Sequence, residues 1–346
     1  MQNIREVFHD MHINTKLALT IDDQYIELLK LLAEQPATVD RTGVGRHKLA
    51  GCSLQVDYVG QLAPVLLSKK VNADAFIKET LWFLRGETNV NQLGAKFWDS
   101  WANEDGSLGP IYGKQWRNWT DTKLLFTGDH DAEAQYKKLI ELGYSQRGMY
   151  EAGETGYDEI VFTKQYDQIR EVEKDLRNRT CSSRNVVSAW NVGDLPFMNL
   201  HPCHFAWQLV VSAATAEDKE LSGTDHDLTL SLVLYQRSAD HAVGVPFNLG
   251  CYSLILNMFA KVHKYNVGSL TANFGDCHVY TDQIPLVEQQ VKQWKAERSR
   301  PDWIPPKFEI DVDGITSIIE LAEQPERVKL VEYSTTQPNV PYPVAV

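Results

Sequence analysis

The segment that most constrains this chain is PFNLGCYSLILNMFAKVHKY, residues 246–265. At helical spacing its apolar side chains fall on nearly every face, and such a helix is stable in water only when enclosed. The chain must therefore supply a sheet and further elements to cover it. NVVSAWNV (185–192), FAWQLVVSAA (205–214) and LTLSLVLYQRS (228–238) are β-branched and aromatic, and read as core strands. SLTANFGDCHVYTDQ (269–283) reads as a strand, then a loop and a helix start. SLQVDYV (53–59) alternates like a strand, and residues 22–34 and 73–85 carry helical apolar spacing, with Asn72 placed to cap the second helix. This irregular alternation predicts an α/β or α+β fold with a mixed sheet flanked by helices. GxGxxG and GxxxxGK[ST] are both absent from the sequence, so the common dinucleotide and triphosphate cradles are not expected.

Composition narrows the class. The 346 residues are 43% hydrophobic and 23% charged, an ordinary globular profile. Apolar runs such as LVVSAA around Val210 are too short to span a bilayer, and MQNIREVFHD lacks the apolar core of a secretory signal. Cys52, Cys181, Cys203, Cys251 and Cys277 are widely spaced without a CxxC pair, which predicts reduced thiols, a cytoplasmic setting and no metal site. A formal net charge of −12 argues against nucleic acid as the main ligand. It leaves room for a small anion held by a few arginines. NEDGSLGPIYGKQWRN (103–118) reads as loop. Residues 120–180 hold FTGDHD, a helical AEAQYKKLIEL, GMYEAGETGYDE and a second helix near 164–177, and the first two-thirds read as a polar surface insertion.

Several residues have the chemistry of a site. Cys203 in HPCH, between two strands, suits a thiolate nucleophile, although a free cysteine is more often a buried structural one. In YQRSAD, Arg237, Ser238 and Asp240 lie just past a core strand; an arginine there contacts phosphate or lowers a neighbouring thiol's pKa, or is an ordinary strand end. Arg41 in DRTG and Arg184 in SSRN sit in turns and read equally as phosphate ligands or as surface. His278 and Tyr280, two apart on an extended segment, fit a sugar hydroxyl or a structural pair. Glu79 lies on an otherwise apolar helix, where burial raises a carboxyl's pKa toward neutral; the alternative is an exposed flank. Trp98 and Trp101 form an aromatic shelf or pack in the core.

Taken in order, DRTG, ETLWFLRGETN, FWDSWANEDGSLGPIYGKQWR, SRNVVSAWNVGDL, HPCH, YQRSAD, GVPFN, GDCHVY and the terminal PVAV resemble the thymidylate synthase family. The resemblance runs from about residue 22 to the C-terminus, interrupted by the insertion. It implies one domain over 1–346 with an inserted subdomain at about 120–165, and an obligate homodimer with its sheet at the interface. The implied reaction turns dUMP into dTMP with 5,10-methylenetetrahydrofolate, a cosubstrate that donates both carbon and hydride and leaves as dihydrofolate. Cys203 is implied to attack carbon 6 of uracil, and Arg237 to bind phosphate and favour the thiolate. Ser238 and Arg41 are implied to hold the phosphate too, with Arg184 doing so from the neighbouring subunit. The resemblance places Asn248 on the pyrimidine, His278 and Tyr280 on the deoxyribose hydroxyl, and Glu79 and Tyr112 in a proton-transfer network. It places the folate among Glu79, Trp98, Trp101, Asp240, Gly244, Phe247 and Ala345. A side-chain amide at Asn248 suits uracil, where the related dCMP enzymes have aspartate.

Three positions depart from the family pattern: Ser183 replaces the first of two usual arginines, His201 replaces a small residue or proline, and Asn72 replaces a histidine. His201 leaves open a dUMP 5-hydroxymethylase, in which water rather than hydride reacts last. The PVAV tail and Trp98 favour the reductive outcome, because both exclude water. A protein that only binds, for example to an mRNA, is disfavoured by the charge of −12 and by the complete set of catalytic residues.

Overall fold

A computed structural model describes residues 21–39, 43–56, 63–151, 158–297, 306–333, 335 and 340–344. The chain opens with helix α1 (Ile21–Ala33), strands β1 (Ala37–Val39) and β2 (Gly45–Val56), and helix α2 (Ala73–Arg85). The Asn72 side chain accepts from Ala75 N at 3.2 Å, satisfying one of the orphan amides that start α2. Gly86 ends the helix at φ 84°, a left-handed conformation that suits glycine. Helix α3 (Tyr112–Asn118), strand β3 (Trp119–Phe126), helix α4 (Ala132–Glu141), strands β4 (Ser145–Tyr150) and β5 (Glu159–Tyr166), and helix α5 (Gln168–Arg177) follow. Next come β6 (Val186–Ser188), β7 (His204–Ala213), α6 (Ala216–Ser222), β8 (Leu228–Asp240), α7 (Gly244–His263), β9 (Asn266–Tyr280) and α8 (Ile284–Glu297). β10 (Lys307–Ile310), α9 (Ile318–Ala322) and β11 (Val328–Val331) close the series.

The main sheet runs β1-β2-β9-β8-β7-β6. β8 and β9 are parallel and every other neighbouring pair is antiparallel, so the sheet is mixed. Parallel neighbours need a crossover, and α7 is that crossover. From Leu249 to Ala260 every residue of α7 is buried, as its all-round apolar pattern requires. α2 packs closely on it, because a Cβ on Gly250 would stand 2.9 Å from the Phe76 ring. One core joins α1, α2, α3, α7 and the sheet. Among the described residues no helix is long and apolar enough to cross a membrane.

Several elements differ from the sequence reading, and Arg237, Ser238 and Asp240 lie within β8 rather than just past it. Residues 112–118, expected as loop, form α3, whose Tyr112 and Trp116 are buried one turn apart. Tertiary packing decides this: a Cβ on Gly113 would lie 2.4 Å from Glu87 O, so only glycine lets α3 approach the end of α2. Of residues 185–192, only Val186–Ser188 pair in the sheet. β2 starts at Gly45, well before the expected alternation, and residues 57–59 lie outside the described ones.

Residues 119–166, which include the segment expected as an insertion, build a separate antiparallel sheet, β3-β5-β4, around a small core of Leu125, Tyr144, Ile160 and Phe162. The helix expected near 164–177 begins at Gln168, because residues 164–166 finish β5. Trp119 pairs with Tyr166, so the excursion leaves and rejoins the main body at neighbouring points. Replacing residues 121–164 by a short turn is therefore expected to shift the main thermal transition by no more than about 4 °C. Loss of cooperative unfolding in that variant would show that the insertion holds the main core together.

Candidate active site

Cys203 is half-buried just before β7 and is held by a residue of β8. Arg237 N donates to Cys203 O, Arg237 Nε to Pro202 O and Arg237 Nη2 to His201 O, each at 2.9 Å. Nη2 also stands 4.0 Å from Cys203 Sγ. Arg237 thus fixes the HPC turn and places a permanent positive charge beside the sulfur. Burial pushes the Cys203 thiol up, Arg237 pulls it down, and the charge of Asp240 pushes it up. The His201 side chain turns to Trp190, its ring edge-on at 6.2 Å, and the Arg237 contact uses the His201 carbonyl.

From below, buried Tyr112 accepts from Cys203 N at 2.8 Å and stacks on His204 at 4.1 Å. His204 Nδ1 is 2.7 Å from Tyr252 Oη. Burial alone holds the His204 pKa down to about 3, so its imidazole stays neutral in the folded protein over the working pH range. An unfolded chain takes up that proton below the ordinary histidine value of 6.5, and the native state does not until about 3. Acidification across this window favours unfolding by an amount that a phenylalanine at 204 does not feel. The stability deficit of His204→Phe at pH 7 is therefore expected to shrink by on the order of 2 kcal/mol at pH 4.5, read by urea unfolding. A deficit constant with pH would contradict the buried neutral imidazole.

Glu79 is buried on α2, which removes its exposed-flank reading. Trp98 Nε1 donates to Glu79 Oε1 at 2.7 Å and Cys251 Sγ lies 3.3 Å from Oε2. Burial raises the carboxyl and these two hydrogen bonds lower it. Trp101 meets Trp98 edge-on at 5.7 Å.

Asn248 lies in the first turns of α7, where Gln236 Nε2 donates to its Oδ1 at 3.0 Å. That bond orients the amide and leaves its NH2 as a donor. Gly244 opens the same helix, and Phe247 packs on Phe97 at 6.1 Å. Asp240 Oδ1 accepts from Ala242 N at 3.1 Å and Val243 N at 3.0 Å. Burial pushes the Asp240 carboxyl up, against those backbone bonds. Its partner in the parallel register is His278, whose Nδ1 is 2.9 Å from Asp276 Oδ1 and whose ring meets Tyr280 edge-on at 5.3 Å. Ser238 is half-buried on β8, next to Arg237.

Arg184 stands apart. It is exposed before β6, and Val186 pairs with Gln208, five residues along β7 from Cys203 and about 17 Å away at strand rise. Arg41 and Ala345 lie outside the described residues. Among the described residues no three His, Cys, Asp or Glu side chains are grouped to hold a metal ion.

Sequence reasoning missed Gln236, His204, Lys69 and Gln283. Gln236 is a polar residue at an inward position of a core strand, a readable signal: it is buried where its neighbour Arg237 is exposed. Lys69 gave no signal in its Lys-Lys doublet, yet it is buried, donates to Ala242 O at 2.6 Å, and burial holds it down to about 8.

The comparisons with known proteins agree in kind. The family model described as Thymidylate synthase matches residues 23–346. A protein of Corynebacterium aurimucosum named thymidylate synthase is 36% identical over 285 residues, 81% of this chain and 86% of that one. A protein of the same name from Vesicomyosocius okutanii is 34% identical over 274 residues, 78% of this chain and 83% of that one.

Proposed function

Because the chain belongs to the thymidylate synthase family, we propose that it reductively methylates dUMP to dTMP, with 5,10-methylenetetrahydrofolate giving both carbon and hydride. The observation that carries this reading is Arg237, which grips the Cys203 turn through two carbonyls while facing its sulfur. A thiolate adds reversibly to an electron-poor ring, and the adjacent guanidinium favours that thiolate.

In the proposed sequence, Cys203 Sγ bonds carbon 6 of uracil and the electron pair moves toward carbon 5. Carbon 5 takes the methylene group from folate and then loses its proton. Elimination of tetrahydrofolate leaves an exocyclic methylene, a hydride from the tetrahydrofolate reduces it, and Sγ departs from carbon 6. Dihydrofolate and dTMP are the products. Asn248, oriented by Gln236, donates to the uracil carbonyl oxygen that gains charge in the adduct. Glu79 and Tyr112 handle protons, since burial raises the Glu79 carboxyl and so makes it a better proton acceptor than an exposed one. Arg237, Ser238 and Arg41 hold the phosphate, and His278 and Tyr280 the sugar hydroxyl. Trp98, Trp101, Asp240, Gly244, Phe247 and Ala345 receive the folate. Arg184 lies too far along the sheet edge to serve its own Cys203, which supports a homodimer in which it serves the partner's phosphate. The protein acts in the cytoplasm.

Trp98, pinned by Glu79, speaks for hydride over water in the last step, because a fixed tryptophan wall keeps water from the methylene. The unusual His201 gives Arg237 only its carbonyl, so its side chain does not alter that contact. Protein mixed with dUMP and methylenetetrahydrofolate should raise the absorbance of dihydrofolate in step with dUMP consumed. Consumption of dUMP without dihydrofolate would replace the reading by hydroxymethylation, and a folded protein with no turnover would leave a binding role.

A further inference from the structure

The C-terminal segment meets the site through one side chain. Gln283 is fully buried in a short 3-10 turn, Thr281–Gln283, after β9. Its Oε1 accepts from Tyr280 N at 2.9 Å. Its Nε2 donates to Asp240 Oδ2 at 3.2 Å and to Pro343 O at 3.0 Å. A carboxamide NH2 has two hydrogens, so one serves the site carboxylate and the other the tail. The tail has a second hold one residue earlier. Tyr342 Oη donates to Gln290 Oε1 at 2.6 Å, and the Tyr342 ring lies under Lys69 Nζ at 4.8 Å. Gln290 is itself fixed by donating to Ser68 O at 3.2 Å.

We infer that Gln283 is a positioning residue that couples docking of the C-terminal segment to the orientation of Asp240, and through it to retention of the folate, an inference that rests on the function proposed above. When the tail lifts, Nε2 loses Pro343 O, the amide is freer to turn, and Asp240 Oδ2 loses a fixed donor. Conversely, a ligand that donates a hydrogen bond to Asp240 holds the carboxylate still and with it the amide that receives the tail. The two effects are one coupling free energy seen from either end. Gln283 touches no reacting atom. It decides how firmly the carboxylate and the tail are presented together.

Gln283→Ala removes both donors. Gln283→Glu keeps the shape and sets an acceptor against two acceptors, so it serves if the alanine variant folds poorly. In ligand-free protein, carboxypeptidase release of the three residues beyond Pro343 is expected to quicken at least about tenfold in either variant, with thermal midpoints within about 4 °C of the parent. Unchanged release overturns the tail contact whatever the substrate is. In turnover, KM for methylenetetrahydrofolate is expected to rise about tenfold while KM for dUMP stays within about twofold. Equal rises in both KM values, or none, overturn the coupling. Absence of dihydrofolate from the parent protein itself counts against the proposed function instead, and the digestion result still decides the tail contact.

Discussion

Cys203→Ser is expected to lower turnover by at least about a thousandfold, some 4 kcal/mol of barrier, while the affinity for dUMP stays within about threefold. The two halves of that expectation have separate causes. A serine hydroxyl is almost fully protonated near neutral pH, and Arg237 does not lower its pKa enough to make an alkoxide, so the attack on carbon 6 is lost. Of the groups proposed to hold the nucleotide, Arg237, Ser238, Asn248, His278 and Tyr280 are placed by their own strands and helix rather than by the sulfur. Tyr112 bonds the backbone amide of residue 203, and Arg237 bonds the carbonyls of residues 201 and 202, so the turn survives the exchange. Turnover and dUMP affinity measured on one preparation separate these terms. A variant with near-parental rates would remove Cys203 from the chemistry.

Arg237→Ala carries the second largest expected effect, a fall in turnover of at least about a hundredfold. Two consequences follow from its geometry. The guanidinium near Sγ lowers the thiol's pKa against burial, so its loss moves the pH inflection of Cys203 alkylation upward. The carbonyls of His201 and Pro202 also lose their donors, which loosens the turn. Arg237→Lys divides the two: a lysine returns a charge near the sulfur and cannot supply the same fork, so thiol reactivity recovers more than turnover does. Equal recovery of both, or an inflection that does not move in Arg237→Ala, would contradict the double role.

How far the site could be read beforehand depended on whether a signal was local. Asn72 caps α2 where its position before an apolar helix placed it, and α7 is buried on all sides as its composition demands. Glu79 was half legible: a carboxylate on an otherwise apolar helix reads as buried or as an exposed flank, and the structure buries it. α3 was not legible, since a Gly-Pro-rich stretch becomes helical here through packing of Tyr112 and Trp116 against α2 at a glycine contact. Strand β4 was hidden for a different reason: it is largely exposed, so its sequence lacks the apolar alternation that marks a half-buried strand. His204, Lys69 and Gln283 act through partners distant in sequence, such as Tyr252, Ala242 and Pro343, and only the fold brings these together.

The central claim is that Cys203 opens the reaction by bonding carbon 6, which alone makes the hydrogen on carbon 5 of uracil exchangeable. With dUMP tritiated at carbon 5 and methylenetetrahydrofolate present, the protein should release tritium to water in step with dihydrofolate, and Cys203→Ala should release none. Tritium released by Cys203→Ala at the parental rate would contradict it.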